Sequence, residues 1–136
     1  MEKSCKFITS FDILYINKCV IKDTGGLFIG ENNIRHGQNL ELILEEIMFP
    51  IYQVDRFPTL FMKIACLIQR IICNHVFNDG NKRTALGCCI QMFFINGYSF
   101  TVDDEVEKFL ISISTDKLSI ENIAKFIEKK VNYHTP

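Results

Sequence analysis

Nine consecutive residues, His75-Val76-Phe77-Asn78-Asp79-Gly80-Asn81-Lys82-Arg83, separate two long apolar stretches of the chain. The first stretch ends at Cys73 and the second begins at Thr84. The segment combines an imidazole, a carboxylate, a glycine and two cations, so it is rich in groups that can take part in catalysis. The apolar stretches on either side predict two core helices, with this segment as the junction between them.

The glycine of this segment indicates a tight turn at the start of the second helix. Gly80 permits such a turn, and either Asn78 or Asp79 is expected to cap the helix. A helix N-terminus presents free backbone N–H groups at the positive end of the helix dipole, which makes it an anion site. Side-chain donors are expected around the same point from Asn81, Lys82 and Arg83. The segment therefore predicts a phosphate-binding turn.

Two residues of the segment have side chains suited to chemistry on that phosphate. Asp79 is suited to hold a Mg²⁺ ion that bridges phosphate oxygens. His75, at the end of the preceding helix, is suited to take a proton from an attacking hydroxyl. Phe77 is expected to anchor the turn on the core. The residues alone leave a plainer alternative open, in which His75 is a packed core residue and the turn only connects two helices.

Composition predicts an ordinary globular protein. The chain has 136 residues, of which 48% are hydrophobic and 23% are charged, and its formal net charge is -1. This predicts a single domain over residues 1–136 and gives no electrostatic argument for nucleic acid or membrane binding. No apolar run reaches the roughly 18 residues of a membrane span, and the N-terminus lacks a signal-peptide profile, so a cytoplasmic location is expected. Buried, reduced thiols are predicted for Cys66, Cys73, Cys88 and Cys89, which lie in apolar helical stretches.

The pattern of apolar residues predicts an all-α domain. Helices are expected over about residues 10–22, 40–48, 55–74, 81–95 and 103–113, with a last helix capped by Ser119. In the third of these, Asp55 is expected to be the N-cap and Lys63 to lie on the narrow exposed face. In the first, Phe11, Leu14, Tyr15 and Ile21 are expected to form the apolar side. The helix over 81–95 is apolar nearly all round, so it is predicted to be the most buried. Residues 27–38 are predicted to be a loop or short hairpin, and loops of this length often have a function.

The segment from His75 to Ala85, His-Val-Phe-Asn-Asp-Gly-Asn-Lys-Arg-Thr-Ala, resembles the signature of the Fic/Doc superfamily. That signature is His-x-Phe-x-Asp/Glu-Gly-Asn-x-Arg. The chain length, the all-α character and the Asn-Gly-Tyr sequence at residues 96–98 resemble the Doc (death-on-curing) branch. The resemblance covers most of the chain. It implies the compact helical fold of that superfamily, with about six helices and a flap near residues 27–38.

The resemblance implies a role for each motif residue. The residue matching His75 is the general base that activates a target hydroxyl, the one matching Asp79 binds Mg²⁺, and the one matching Phe77 anchors the loop. ATP is the implied co-substrate. The residues implied to bind its phosphates are Asn78, Gly80, Asn81, Lys82 and Arg83.

Lys82 is the position at which the resemblance favours one reaction over another. Typical Fic members have glycine there, bind ATP with an open phosphate nest and transfer AMP. Doc-type members have lysine, which fills part of the nest, and they transfer the γ-phosphate instead. Fic enzymes also often carry a second arginine three residues after the first, where this chain has Leu86. Both departures favour γ-phosphate transfer to a Ser or Thr hydroxyl.

The resemblance also implies partners. Doc relatives are paired with a small antitoxin, and translation elongation factor Tu is a candidate protein target. In the flap, Arg35 and His36 are candidates for contact with the substrate or the nucleotide. Two alternatives remain open. The same His75 would serve an AMP-transferring enzyme, and a catalytically inactive protein would keep the fold as a binding module.

Overall fold

The computed structural model describes residues 5–50 and 54–133. In chain order its elements are α1 (Ser10–Thr24), α2 (Leu40–Met48), α3 (Leu60–Cys73), α4 (Asn81–Ile95), β1 (Tyr98–Phe100), α5 (Asp104–Thr115), α6 (Ile120–Glu128) and β2 (Val131–Tyr133). The described residues therefore form six helices and one small sheet. This confirms the predicted all-α character and the predicted number of helices.

Side-chain caps define where most of the helices begin. The N-cap residues of α1, α2, α3, α5 and α6 are Thr9, Asn39, Thr59, Asp103 and Ser119, and each accepts a hydrogen bond from a backbone N–H in the first turn of its helix. Such caps satisfy donors that a helix leaves without intrahelical partners. At the other end of α1, Gly25 adopts a left-handed conformation with φ of 74° and ends the helix.

The third helix begins later than the sequence predicted. Asp55 was expected to cap it, but the N-cap is Thr59, whose hydroxyl accepts from Met62 N at 3.0 Å. Asp55 instead accepts from Phe57 N at 3.0 Å and from the Lys63 ammonium at 2.8 Å. Lys63 was expected on an exposed face, yet only 8% of its surface is exposed. The ion pair explains this difference, because it compensates the buried ammonium.

The core is centred on α3, which packs against α2, α4, α5 and α6. Its buried residues are Lys63, Ile64, Ala65, Cys66, Leu67, Ile68, Ile71 and Ile72. The prediction that the helix over 81–95 is the most buried was therefore wrong. That helix, α4, also packs against α1 and β1, but it leaves Phe94 72% exposed.

The buried side of α1 differs from the predicted one. Phe11 and Tyr15 are 80% and 68% exposed, so they do not belong to the core. The buried residues of this helix are Ile13, Asn17 and Ile21, which follow one another at intervals of four. This spacing keeps three side chains on one face of a helix. An asparagine therefore occupies the middle of the inward face of α1.

Two short strands close the C-terminal part of the fold. β1 and β2 pair antiparallel, with Tyr98 opposite Tyr133 and Phe100 opposite Val131. Sequence analysis missed both strands, since three residues are too few for a periodic pattern. Because β1 follows α4 and β2 follows α6, the sheet joins the segments that come directly after these two helices.

The segment over residues 27–38 is a loop, and we refer to it as the flap. Ile34 of the flap forms an isolated antiparallel β-bridge with Phe77. The flap therefore pairs with another segment and does not form a hairpin of its own. The backbone N–H of Arg35 donates to the carbonyl of Val76 at 2.9 Å, and that of Asn78 donates to the carbonyl of Asn33 at 2.9 Å. The flap is therefore paired with the segment that joins α3 to α4.

The cysteines divide into two groups. Cys66, Cys88 and Cys89 are buried, as predicted, and burial raises the pKa of the Cys66 thiol to about 11. Cys73 is exposed, so the prediction that it is buried was wrong. Its position explains the difference, because it is the last residue of α3. Among the described residues, no helix combines the length and the apolar character needed to cross a membrane.

The burial of Phe77 generates a prediction about stability. Phe77 is 1% exposed and packs in the core, so Phe77→Ala should lower the free energy of unfolding by about 3–5 kcal/mol. Phe94→Ala is the matched control, because Phe94 is 72% exposed, and its effect should stay within about 0.5 kcal/mol. Urea denaturation measures both. Equal losses for the two variants would contradict the assigned packing of Phe77.

Candidate active site

The segment between α3 and α4 is fixed by buried side chains at its centre. Val76 and Phe77 are 0% and 1% exposed. The side chain of Asn81, the first residue of α4, accepts from Phe77 N at 2.9 Å and donates to Phe77 O at 2.9 Å. The segment is thereby closed into a loop against the start of α4. We call residues 74–80 the catalytic loop.

His75 lies on the exposed side of this loop. The preceding helix ends at Cys73, with Asn74 as its C-cap, so His75 is outside the helix. It adopts a left-handed conformation with φ of 49°, which is uncommon for a residue other than glycine. This backbone turn moves the imidazole away from the buried face of α3. The alternative in which His75 is a packed core residue is therefore wrong, since His75 is exposed.

The N-terminus of α4 has no side-chain cap. Gly80 is the N-cap residue, with φ of 76°. The expectation that Asn78 or Asp79 caps this helix was wrong, because both side chains bond elsewhere in the flap and the loop. The first hydrogen bond of the helix runs from Thr84 N to Gly80 O at 2.9 Å. The backbone N–H groups of residues 81–83 precede this bond and point out of the helix, so they form an anion site.

A cleft of about 520 Å³ lies in front of this helix terminus. It is lined by Thr24, Gly26, Ile72, His75, Asn78, Asp79, Gly80, Asn81, Lys82, Arg83 and Ser114. The imidazole, the carboxylate and both cations that the sequence singled out therefore share one cavity. Thr24, Gly26, Ile72 and Ser114 also line it, and sequence analysis assigned none of them to the site.

The carboxylate of Asp79 is held by two backbone donors. Its Oδ2 accepts from Leu27 N at 2.8 Å and its Oδ1 accepts from Gly80 N at 2.8 Å. The bond from Leu27, and after it the bond from Gly80, stabilises the charged form and lowers the pKa of Asp79 below its ordinary value. Gly26 lies against the same group, because a Cβ added at Gly26 would be 2.7 Å from Asp79 Oδ2. The flap and the catalytic loop therefore meet at this carboxylate.

The surroundings of Asp79 fit a hard divalent cation that takes most of its ligands from elsewhere. Each carboxylate oxygen accepts one N–H bond and keeps further lone-pair capacity toward the cleft. Within the described residues, no group of three or more His, Cys, Asp or Glu side chains is arranged to hold a metal. Mg²⁺ is bound in many proteins by one or two carboxylates together with substrate phosphates and water. Such an ion at Asp79 would be shared with a phosphate at the α4 terminus.

Two of the residues predicted to bind phosphate use their side chains within the protein. The amide nitrogen of Asn78 donates to Asn33 O at 3.2 Å. The amide nitrogen of Asn81, which was expected to donate to phosphate, donates to Phe77 O at 2.9 Å. Lys82 and Arg83 are exposed and line the cleft. The side-chain cations at the anion site are therefore these two residues.

The two flap residues predicted from the resemblance do not line the cleft. Arg35 is exposed, and its guanidinium donates to the carbonyl of Asn74 at 3.0 Å, next to His75. His36 is exposed on the same segment. The contact of Arg35 is thus with the backbone of the catalytic loop.

Sequence analysis missed two buried asparagines that connect this site to the rest of the fold. Asn17 on α1 donates to the carbonyl of Asp79 at 3.0 Å, and Asn33 in the flap donates to Asn17 Oδ1 at 3.0 Å. Both residues are 0% exposed. The signal for Asn17 was its position midway between Ile13 and Ile21 on one helix face. Asn33 gave no comparable signal, because it lies in a loop that is rich in polar residues.

Comparison with known proteins agrees with this geometry. A model of the Fic/DOC family matches residues 7–93, a range that includes α1, the flap, the catalytic loop and most of α4. Toxin Doc of Mycolicibacterium smegmatis is 30% identical over 114 residues, which cover 81% of this chain and 88% of the relative. The chain belongs to the Fic/Doc family.

The lowered pKa of Asp79 generates a prediction about pH. Since the folded pKa lies below the unfolded value of about 3.9, the contribution of this group to stability is present above that value and is lost as the pH falls through the folded pKa. Asp79→Asn should therefore be less stable than the wild type at neutral pH, and the difference should shrink below about pH 4. Urea denaturation at several pH values measures it. A difference that stays constant down to about pH 2 would contradict the assignment.

Proposed function

We propose that this protein is a Doc-type toxin that transfers the γ-phosphate of ATP to a Ser or Thr hydroxyl of a target protein. The observation that carries the proposal is the cleft in which His75, Asp79, Lys82 and Arg83 surround the uncapped N-terminus of α4. Members of the Fic/Doc family transfer phosphate-containing groups of nucleotides to proteins, and the relative in Mycolicibacterium smegmatis is called Toxin Doc. Both facts support this reading of the cleft.

In the proposed reaction the hydroxyl oxygen of the target attacks the γ-phosphorus of ATP. A new P–O bond forms, the bond from the γ-phosphorus to the bridging oxygen breaks, and ADP leaves. His75 accepts the proton of the hydroxyl. Its exposed position at the edge of the cleft supports this role, because a general base must come within hydrogen-bond reach of the group that it deprotonates.

The cations and the helix terminus act on the charge of the transferred group. Phosphoryl transfer requires mainly positioning and electrostatic stabilisation, since the charge is spread over the oxygens of the transferred group. Lys82, Arg83 and the N–H groups at the start of α4 offer that stabilisation from one side of the cleft. Asp79 would hold the Mg²⁺ ion, which when bound neutralises phosphate charge.

The proposal includes a protein target and a protein inhibitor. Elongation factor Tu is the proposed target, on the basis of the family resemblance of the motif. A small antitoxin is the proposed inhibitor, supported by the name of the similar protein, Toxin Doc. A cell extract that contains the translation machinery is therefore the substrate of choice for the first assay.

Label transfer from ATP tests the proposal. The protein should transfer label from the γ position and not from the α position, and His75→Ala should reduce the rate by about 10²–10⁴-fold because the general base is lost. His75→Asn is the matched variant, since asparagine tolerates the left-handed conformation at φ of 49° but is not a base. His75→Asn should keep the wild-type unfolding midpoint within error.

Other outcomes of this assay identify the alternatives. Label transferred from the α position would overturn the proposal in favour of AMP transfer by the same His75. Absence of transfer from either position, with Mg²⁺ and several nucleotides tried, would favour an inactive binding protein with this fold.

Lys82 provides a second test within the same assay. Lys82→Gly removes a cation from the phosphate site and, as the family resemblance implies, opens the part of the nest that lysine fills, so the α-to-γ ratio of transferred label should rise by about tenfold or more. Lys82→Arg keeps the positive charge and is the control, which should still favour transfer from the γ position. An unchanged ratio in Lys82→Gly would show that Lys82 does not select the reaction.

A further inference from the structure

The flap, α1 and the catalytic loop are joined below the cleft by two side-chain amides. Asn17 extends from α1 and Asn33 from the flap, and both are 0% exposed. The Nδ2 of Asn33 donates to Oδ1 of Asn17 at 3.0 Å. The two residues are 16 positions apart in the chain, and the bond joins the flap to α1.

Asn17 carries the connection from this pair to the main chain of the catalytic loop. Its Nδ2 donates to the carbonyl of Asp79 at 3.0 Å and to Oγ1 of Thr84 at 3.0 Å. Thr84 is 0% exposed and lies in the first turn of α4. A single buried amide therefore ties the carbonyl of the proposed metal ligand to the helix that forms the anion site.

Asn33 carries the connection into the flap. Its Oδ1 accepts from Ile29 N at 2.9 Å, and its main-chain carbonyl accepts from Asn78 N at 2.9 Å. The residue has φ of 59°, a left-handed conformation that asparagine adopts more readily than most residues. Asn33 thus shapes the flap and holds it to Asn78, the neighbour of Asp79.

Stability alone does not account for this arrangement. Burying a side-chain amide costs free energy that its hydrogen bonds only offset, and an apolar residue on the inward face of α1 would avoid that cost. In the described part of the chain, no buried side-chain nitrogen or oxygen lacks a hydrogen-bond partner. A fully satisfied polar network of this kind makes one arrangement of the segments much more favourable than the others.

We propose that Asn17 and Asn33 are positioning residues that clamp the flap to the catalytic loop and thereby aim the Asp79 carboxylate. The clamp holds Asp79 from two sides. Asn17 fixes its carbonyl, and the flap that Asn33 shapes brings Leu27 N to its Oδ2 at 2.8 Å. The part of this inference that concerns catalysis rests on the proposed function, whereas the clamp itself does not.

Amide hydrogen exchange tests the clamp without reference to activity. Asn33→Gly keeps the left-handed backbone and removes the side chain, and Asn32→Gly, at the exposed neighbouring position, is the matched control. In Asn33→Gly, exchange at Leu27 N and Asn78 N should accelerate by about tenfold or more, because loss of a buried hydrogen bond favours local opening. Exchange at Ile68 N in α3 should not change, and Asn32→Gly should resemble the wild type.

Two exchange results would overturn the clamp. The first is slow exchange at Leu27 and Asn78 in Asn33→Gly, as in the wild type. The second is acceleration at Ile68 by the same factor as at Leu27, because this would mean that the whole fold is destabilised and that Asn33 has only a structural role.

The dependence of γ-phosphate transfer on Mg²⁺ tests the consequence for catalysis. In Asn33→Gly and in Asn17→Ala, which removes the donor to the Asp79 carbonyl, the Mg²⁺ concentration for half-maximal rate should rise by about 10–100-fold. Excess Mg²⁺ should restore part of the rate. An unchanged Mg²⁺ requirement together with faster exchange at Leu27 would overturn the positioning role. A wild-type protein without transfer activity would contradict the proposed function, and the exchange experiment would still decide the clamp.

Discussion

The insertion of Phe77 into the core is the constraint on which the site depends. It pins the middle of the catalytic loop, while the side chain of Asn81 binds both the N–H and the carbonyl of the same residue. With its centre buried and its ends joined to α3 and α4, the loop has little freedom to rearrange. His75, on one side of Phe77, and Asp79, on the other, are held at the edge of the same cleft as a direct result.

The electrostatics of the site are local. The chain as a whole has a formal net charge of -1, which gives no attraction for a polyanion. At the start of α4, however, two cationic side chains and one carboxylate line the same cleft as the uncapped helix terminus. Because charges screened by salt act over roughly 10 Å, this local excess and not the overall charge determines what the cleft attracts. The proposed substrate, a nucleotide with its metal ion, carries both signs of charge and so matches such a mixture better than a bare anion does.

Sequence analysis predicted best where local signals are strong. The bounds of α4 at Asn81 and Ile95 were predicted as observed, since Gly80 precedes the helix and the Asn96-Gly97 pair follows it. The cap of α3 was predicted at Asp55 and lies at Thr59, because both residues are good N-caps and Asp55 bonds to Phe57 N and to the Lys63 ammonium instead. Local preference cannot decide between two caps of similar strength.

The inward face of α1 shows the other limit of sequence reasoning. Counting apolar residues favoured Phe11 and Tyr15, although the buried residues include Asn17. The partners that make an asparagine acceptable in the core, Asp79 and Thr84, are 62 and 67 residues away in the chain. The hydrophobic pattern of a single helix contains no information on such distant partners, so it predicts that an asparagine lies on the exposed face.

The flap and the carboxylate of Asp79, the proposed metal ligand, are linked in a way that makes their positions interdependent. Leu27 N–H is the largest contributor to the lowered pKa of Asp79, so a flap that moved away would remove a bond that favours the charged carboxylate. The ionised form is also the one that binds a cation. The Leu27 bond also fixes where this carboxylate points, so the position of the flap and the orientation of the proposed metal ligand depend on each other. A partner that displaces the flap would therefore remove one of the two N–H bonds that fix the orientation of this carboxylate.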